Sequence, residues 1–276
     1  MTSIDQSPAT PTAHSPETGA PLLELDSVAC EYKLDGGGRF RAVNGVSLQL
    51  GRSEVLGLVG ESGCGKSTLA KLICGLEKLA AGSITFDGNP VRALGLKKRA
   101  KELLGIQMVF QNPYASLNPR RRIRDQLDDA LALNPEGTWT VETLLDAVDL
   151  PTDSAQRYSH SFSGGQRQRI AIARALAAGP KVLVGDEPIA SLDAFLQARI
   201  ARMMRDLAIG SGASMIFISH DLSIVRDIAD RVAVMEAGRI VEVGSTERIW
   251  NDPNHPYTQK LLAAIPKVDG KGFIPG

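Results

Sequence analysis

The stretch Val55-Leu56-Gly57-Leu58-Val59-Gly60-Glu61-Ser62-Gly63-Cys64-Gly65-Lys66-Ser67-Thr68-Leu69 decides the fold. Its first five residues are an unbroken apolar run, the pattern of a strand buried on both faces. Beyond the glycines, Leu69, Leu72 and Ile73 fall at i, i+3 and i+4, so a helix follows, and Gly75 stops it. Between strand and helix, Gly60 to Ser67 fits G-x-x-x-x-G-K-[ST], a phosphate-binding loop in the context that loop requires. Its glycines let successive backbone N–H groups turn inward around phosphate oxygens, and the helix N-terminus adds partial positive charge. Lys66 is placed to neutralise β- and γ-phosphates, and Ser67 to offer a hydroxyl to Mg²⁺. With Gly at roughly 0.07 per position, Lys at roughly 0.06 and Ser plus Thr at roughly 0.12, chance gives about 0.01 such matches in a chain this long. The whole loop (Gly60, Glu61, Ser62, Gly63, Cys64, Gly65, Lys66, Ser67 and Thr68) is assigned to a nucleotide. Cys64 within it predicts inhibition by a thiol alkylator and protection by the bound nucleotide.

Outward from this loop the pattern is mixed. Towards the N-terminus, Leu22-Leu23-Glu24-Leu25 and Val46-Ser47-Leu48-Gln49-Leu50 are short β-type runs broken by Gly36-Gly37-Gly38, which predicts an antiparallel pair with a hairpin at the glycines. Ser83-Ile84-Thr85-Phe86 runs into the turn pair Asp87-Gly88. From about 112 to 178 the helical period dominates, as in Val141, Leu144, Leu145 and Val148, opened by the cap Thr140 and ended by Pro151. Strand patterns return at Val182-Leu183-Val184 and Ser214-Met215-Ile216-Phe217-Ile218. Between them Leu196, Ile200, Met203, Met204 and Leu207 mark an amphipathic helix whose methionines read as core. An α/β core with a helical insertion is therefore expected, with no internal repeat.

Composition narrows the function classes. A chain of 276 residues has room for a sizeable core and one or two domains. Lys+Arg 31 against Asp+Glu 31 gives a formal net charge of +0, which excludes a strongly basic sleeve for nucleic acid or an acidic tail as the whole story. No apolar run is long enough to cross a bilayer. Cys30, Cys64 and Cys74 are an odd set without C-x-x-C spacing, unsuited to a disulfide framework or structural zinc and suited to a reducing compartment. Met1 to Pro21, rich in Ser, Thr, Pro and Ala and lacking Lys and Arg, is expected to be a disordered tail rather than a targeting signal, with folded patterning from Leu22.

Two further motifs join the loop. Val182-Leu183-Val184-Gly185-Asp186-Glu187 is an apolar strand ending in two carboxylates. Asp186 at the C-terminal end of a parallel strand would hold Mg²⁺, and Glu187 would polarise an attacking water. Ser163-Gly164-Gly165-Gln166 opens a helix that Gly179-Pro180 ends; Ser163 is a good N-cap, and the glycines leave the first N–H groups free for an anion. Phe162-Ser163-Gly164-Gly165-Gln166-Arg167-Gln168-Arg169-Ile170-Ala171-Ile172-Ala173-Arg174-Ala175-Leu176 resembles the signature and following helix of the ATP-binding subunits of ABC transporters. The resemblance implies an α/β fold: a P-loop NTPase (RecA-like) core with an antiparallel β subdomain and a helical insertion, spanning 22–266 with its helical part at about 112–178. It implies ATP and Mg²⁺ as cofactors, and two ATPs sandwiched head to tail in a dimer. Ser163, Gly164, Gly165 and Gln166 would touch the γ-phosphate of an ATP held by the other subunit's loop.

By the same resemblance, Gln111 is similar to the Q-loop glutamine that touches Mg²⁺ and the nucleophilic water, beside Ser67 and Asp186 as metal contacts. His220 in Ile218-Ser219-His220-Asp221 is similar to the switch histidine, and Asp193 after Leu192 to the end of the D-loop. Glu187, His220 and Gln111 are thus the catalytic candidates. Tyr32 resembles the aromatic that stacks on adenine, with Phe40 its rival. His14, His160 and His255 read as structural. The family's usual Ser-Ala-Leu-Asp reads Ala190-Ser191-Leu192-Asp193 here, with Ile189 before it, a departure that bears on cross-subunit signalling.

Val109 to Arg120 and Asn254 to Pro266 are similar to the Q-loop region and the C-terminal segment (about 249–266) of oligopeptide, dipeptide and nickel importers, a branch of the same family. That branch implies ATP-driven uptake of peptides or related small solutes. The implied partners are two integral membrane permease subunits, an extracytoplasmic solute-binding protein acting indirectly, and an identical or sister ATPase. It also implies a place at the cytoplasmic face of the cell membrane. Many of these ATPases carry a cysteine cluster beyond this segment; residues 267–276 hold none, so no iron–sulfur cluster is expected. The alternatives are the ATPase of a soluble, carbon–phosphorus lyase-like complex, or a nucleic-acid ATPase. The run Arg120-Arg121-Arg122-Arg124, with Lys97, Lys98, Arg99 and Lys101 upstream, has no interleaved aromatics. It reads as a solvated face or a contact with a membrane subunit, and no nucleic-acid partner is expected.

Overall fold

A computed structural model describes residues 19–34, 36–95, 99–113 and 116–265. Most of the expected N-terminal tail, His14, Lys97, Lys98, Tyr114, Ala115, Pro266 and the segment 267–276 lie outside the described residues. Strands β1 (Leu23–Lys33) and β2 (Arg39–Leu50) come first, then β3 (Val55–Val59) and α1 (Lys66–Ile73), then β4 (Ala81–Phe86) and β5 (Asn89–Pro90). β6 (Ile106–Val109) leads into α2 (Ile123–Leu131), α3 (Val141–Ala147) and α4 (Gly164–Ala177). β7 (Val182–Asp186), α5 (Ala194–Gly210), β8 (Ser214–Ile218) and α6 (Leu222–Ile228) alternate. β9 (Arg231–Glu236), β10 (Arg239–Ser245), α7 (Thr246–Asn251) and α8 (Pro256–Ala263) complete the order.

The strands form two sheets. One is antiparallel, ordered β2-β1-β4-β5; the other is ordered β10-β9-β3-β8-β7-β6, parallel throughout except for the β10–β9 edge pair. In the central sheet, period-two alternation sends neighbouring residues to opposite cores. Met215 and Phe217 of β8 join α2 to α7 on one face. Ile216 and Ile218 join α1 and the antiparallel sheet on the other. Both faces are covered, which is why these strands read as continuous apolar runs.

The antiparallel pair is longer than its two short sequence runs. Register shifts between Leu25 and Val28, with Ser27 at φ 50°, break the alternation that a period-two reading follows. Beyond them the pairing continues through a charged pair, Glu31 opposite Arg41, and an aromatic pair, Tyr32 opposite Phe40. The helical insertion is capped as its sequence asks. Thr140 and Thr143 at α3, and Ser163 and Gln166 at α4, each form a reciprocal capping box, an arrangement whose loss costs about 1 kcal/mol at the N-cap. Three arginines at the entry to α2 are held by neighbours: Arg121 pairs with Asp129, Arg124 with Glu142 at 2.5 Å, and Arg122 bonds Gln156 at 2.9 Å.

Candidate functional site

β3 delivers the loop and α1 receives it. Lys66, the first helical residue, is 4% exposed. Two glycines are sterically required. A Cβ on Gly60 (φ 152°) would lie 2.1 Å from the carbonyl oxygen of Met235, and one on Gly65 (φ 111°) would lie 2.2 Å from that of Ala42. The loop is thus wedged between β2 and the end of β9, with Gly238 N–H donating to the Cys64 carbonyl at 2.9 Å. Lys66 Nζ donates to the carbonyls of Gly60 (2.8 Å) and Glu61 (2.9 Å), with Cys64 Sγ at 3.8 Å. A buried ammonium held by carbonyls rather than by a carboxylate fits an anionic ligand. Burial pushes the Cys64 thiol up, and Lys66 only partly offsets this, so thiolate is scarce at neutral pH and the alkylation expected from sequence would be slow.

β7 ends at the same end of the sheet. Asp186, 8% exposed, accepts a 2.8 Å hydrogen bond from Ser67 Oγ. Burial, with Glu187 beside it, lifts the Asp186 carboxyl above its ordinary range against the bond from Ser67 and the charges of Lys71 and Lys66. A hydroxyl and a buried carboxylate side by side, both oxygen donors, fit a Mg²⁺ ion completed by phosphate oxygens and water. No cluster of three or more His, Cys, Asp or Glu suited to a metal occurs among the described residues.

Glu187 follows with φ 45°, a left-handed conformation rare for a side chain of its size. Its N–H is tied to the carbonyl of Ile218 at 3.0 Å, and its Oε2 lies 3.1 Å from His220 Nδ1. The two candidates that sequence could name but not connect therefore meet. Glu187 and Gln111 face a cavity of about 290 Å³ whose wall is the loop from Ser62 to Thr68 and whose rim carries both Tyr32 and Phe40. Tyr32 Oη donates to Thr68 Oγ1 at 3.5 Å, while Phe40, paired opposite on β2, is half exposed. Both rival aromatics stand at the mouth.

The remaining candidates lie elsewhere. Ser163, Gly164, Gly165 and Gln166 form the start of α4, and Asp193 caps α5 by accepting the Leu196 N–H at 3.0 Å; none lines this cavity. His160 stacks on Tyr158, and His255 Nδ1 caps α8, so both have structural roles. Sequence reasoning missed residues that tie the parts together. Gln168 of α4 donates to the Phe110 carbonyl at 3.3 Å, and Arg174 bonds the carbonyl of Ser116, fastening the helical insertion to both flanks of the Gln111 loop. Gln126 of α2, 5% exposed, holds Asn118 and Arg121. Tyr257 reaches the phosphate loop from α8. A buried tyrosine needs a hydroxyl partner, but nothing in the sequence says where.

A parallel sheet that brings a phosphate loop and its acidic partner to one end is the architecture of a P-loop ATPase. Residues 43–190 match the ABC transporter family, and residues 241–273 match the oligopeptide/dipeptide transporter C-terminal region. The chain belongs to the ABC transporter family as one of its ATPases. It is 42% identical over 257 residues to a putative peptide import ATP-binding protein of Brucella ovis, covering 91% of this chain and 81% of that one. It is 46% identical to the dipeptide transport ATP-binding protein DppF of Haemophilus influenzae, covering 83% and 71%. Among solved structures it is similar to a nucleotide-free ATP-binding cassette from an ABC transporter (TM-score 0.72, 26% identity, covering 88% and 98%). It is also similar to a dimeric cassette in a post-hydrolysis state bound to ADP and Pi (TM-score 0.70, 26% identity, covering 81% and 98%).

Proposed function

We propose that this chain is the ATP-binding and ATP-hydrolysing subunit of an importer for peptides or related small solutes, working at the cytoplasmic face of the membrane with two permease subunits. The observation that carries the reading is the joint arrangement of Lys66, Ser67, Asp186, Glu187 and His220 at one end of the central sheet. The kinship with peptide-import ATP-binding proteins supports the choice of solute.

In this reading Lys66 and the loop N–H groups neutralise the β- and γ-phosphates, and Tyr32 or Phe40 stacks on adenine. Ser67 and Asp186, with Gln111, hold Mg²⁺, which when bound spreads the charge of the transferred phosphoryl group. Glu187 accepts a proton from the attacking water, and His220 orients that carboxylate and meets the γ-phosphate. Ser163 to Gln166 and Asp193 serve the ATP of a second ATPase subunit. The permease docks in a cavity of about 470 Å³ beside the Gln111 loop, lined by Phe110, Leu133, Arg174 and Arg99, whose Nε and one terminal nitrogen are buried without a partner. No helix long and apolar enough to cross a membrane occurs among the described residues.

The test is purification of the tagged chain from gently solubilised membranes, followed by mass spectrometry. Two polytopic membrane proteins, with or without a sister ATPase, are expected. Recovery of soluble enzymes or nucleic acid alone would end the transport reading and leave the ATPase standing.

A further inference from the structure

The peptide group joining Gly60 to Glu61 is gripped from two sides. Its carbonyl oxygen accepts from Lys66 Nζ at 2.8 Å, and its N–H donates to the Tyr257 hydroxyl at 2.9 Å. Lys66 belongs to the loop itself; Tyr257 lies 196 residues beyond Glu61, on α8. Tyr257 is 8% exposed and packed into the core beneath the central sheet, so its hydroxyl has little freedom.

The segment carrying it is anchored in turn. The buried carboxylate of Glu242, on β10, accepts the N–H of Asn254 at 2.9 Å and of His255 at 3.0 Å, and pairs with Arg248 at 3.2 Å. His255 Nδ1 accepts the Tyr257 N–H at 3.2 Å, and Pro256 occupies the first helical turn, where a missing N–H costs nothing. β10 pairs with β9, whose Met235 carbonyl is the atom packed against Gly60. The hydroxyl and the loop are thus referenced to one hairpin.

We propose that Tyr257 is a positioning residue for the phosphate loop, holding the Gly60–Glu61 peptide in place when Lys66 gives up its carbonyls for the phosphates of ATP. The inference rests on the reading of Gly60 to Thr68 as the nucleotide site. An ammonium has three donors, and here all three face the loop's own carbonyls and thiol. Engagement of a β- or γ-phosphate draws donors away, and the glycine-flanked peptide then loses its inner hold. The Tyr257 bond remains, on the outer side, leaving the inner N–H groups free. A loop that keeps its shape in both states binds with less ordering cost. The C-terminal segment is in this way part of the nucleotide site's support.

The experiment compares the full chain with Tyr257→Phe and Leu261→Ala. Tyr257→Phe removes the hydroxyl and keeps the ring; Leu261→Ala loosens the packing of α8 and keeps the hydroxyl. ATP affinity, steady-state hydrolysis and amide exchange of Glu61 with ATP bound are measured for each. Tyr257→Phe should weaken ATP binding about 3- to 10-fold, the range for one hydrogen bond, and raise KM accordingly with kcat within about twofold. Its Glu61 amide should exchange about tenfold faster in the bound state. Leu261→Ala should melt lower yet bind ATP within about twofold of the parent. Unchanged affinity and unchanged Glu61 protection in Tyr257→Phe would sink the positioning role alone. Equal weakening by Leu261→Ala would assign the effect to packing and overturn it too. Failure of the unaltered chain to bind ATP would remove the phosphate-loop reading itself, and the positioning role with it.

Discussion

The phosphate-loop end and the signature end of this molecule differ in how far a single chain completes them. At the first, Lys66, Ser67, Asp186, Glu187 and His220 come from three separate segments and reach one another or the loop within hydrogen-bonding distance. At the second, Ser163 and Gln166 bond each other, Asp193 bonds its own helix, and a Cβ on Gly164 would meet open space. Both are helix N-termini with the chemistry to take an anion. The first is walled by its own chain, whereas at the second Gly165 packs against Leu196 and Gly164 faces open space. A preorganised pocket binds by itself, whereas an exposed, capped helix end would need a second surface to enclose a ligand.

That contrast can be broken most sharply at Glu187. Glu187→Gln should lower turnover by about 10²- to 10⁴-fold, the usual worth of a general base, while ATP affinity stays unchanged in a binding titration. Undiminished hydrolysis would remove Glu187 from the chemistry. Lys66→Ala should act earlier, weakening ATP itself by about 30-fold or more, as loss of a buried charged partner does. Equal affinity in the variant would mean that the enclosed end is not the binding end. Ser163→Ala divides the two regions. Loss of the cap should cost about 1 kcal/mol of stability, and hydrolysis should fall about tenfold where chains associate, while dilute chains keep their ATP affinity. A matching loss of affinity in dilute protein would erase the distinction.

Much of the enclosed end was legible because its signals are local. Gly60 to Ser67 and the run ending in Asp186 and Glu187 each announce themselves in one stretch, and the parallel sheet brings their ends together. The contact between Glu187 and His220 was not legible, since it depends on the left-handed turn at Glu187 and the pairing of β7 with β8. Two turns show where local reading stops. Asp87-Gly88 and Ala237-Gly238 both have positive φ at each residue, the primed hairpin geometry. The first carries the Asp that advertises such a turn. The second places an alanine there, and the β9–β10 hairpin passed unread, although its Met235 carbonyl fixes why Gly60 must be glycine. Tyr257 failed for the same reason at longer range: its partner is a backbone N–H.

The C-terminal anchor offers the smallest effect and a third point of comparison, because its buried contacts tie the chain to itself. Burial alone would raise the Glu242 carboxyl; the N–H groups of Asn254 and His255 and the nearby Arg248 outweigh it and hold the group below its ordinary 4.5. A carboxyl lowered on folding stabilises the fold above its unfolded value. That contribution is complete above about pH 4.5 and is lost as pH falls through the lowered folded value. Glu242→Gln should therefore melt about 2–4 °C below the parent at neutral pH. The gap should narrow steadily once the pH drops under 4.5. A gap that stays constant from pH 7 to about 3.5 would show that the carboxylate's charge plays no part in the anchor. It would leave shape and neutral hydrogen bonding as what holds α8, and with it Tyr257, against the loop.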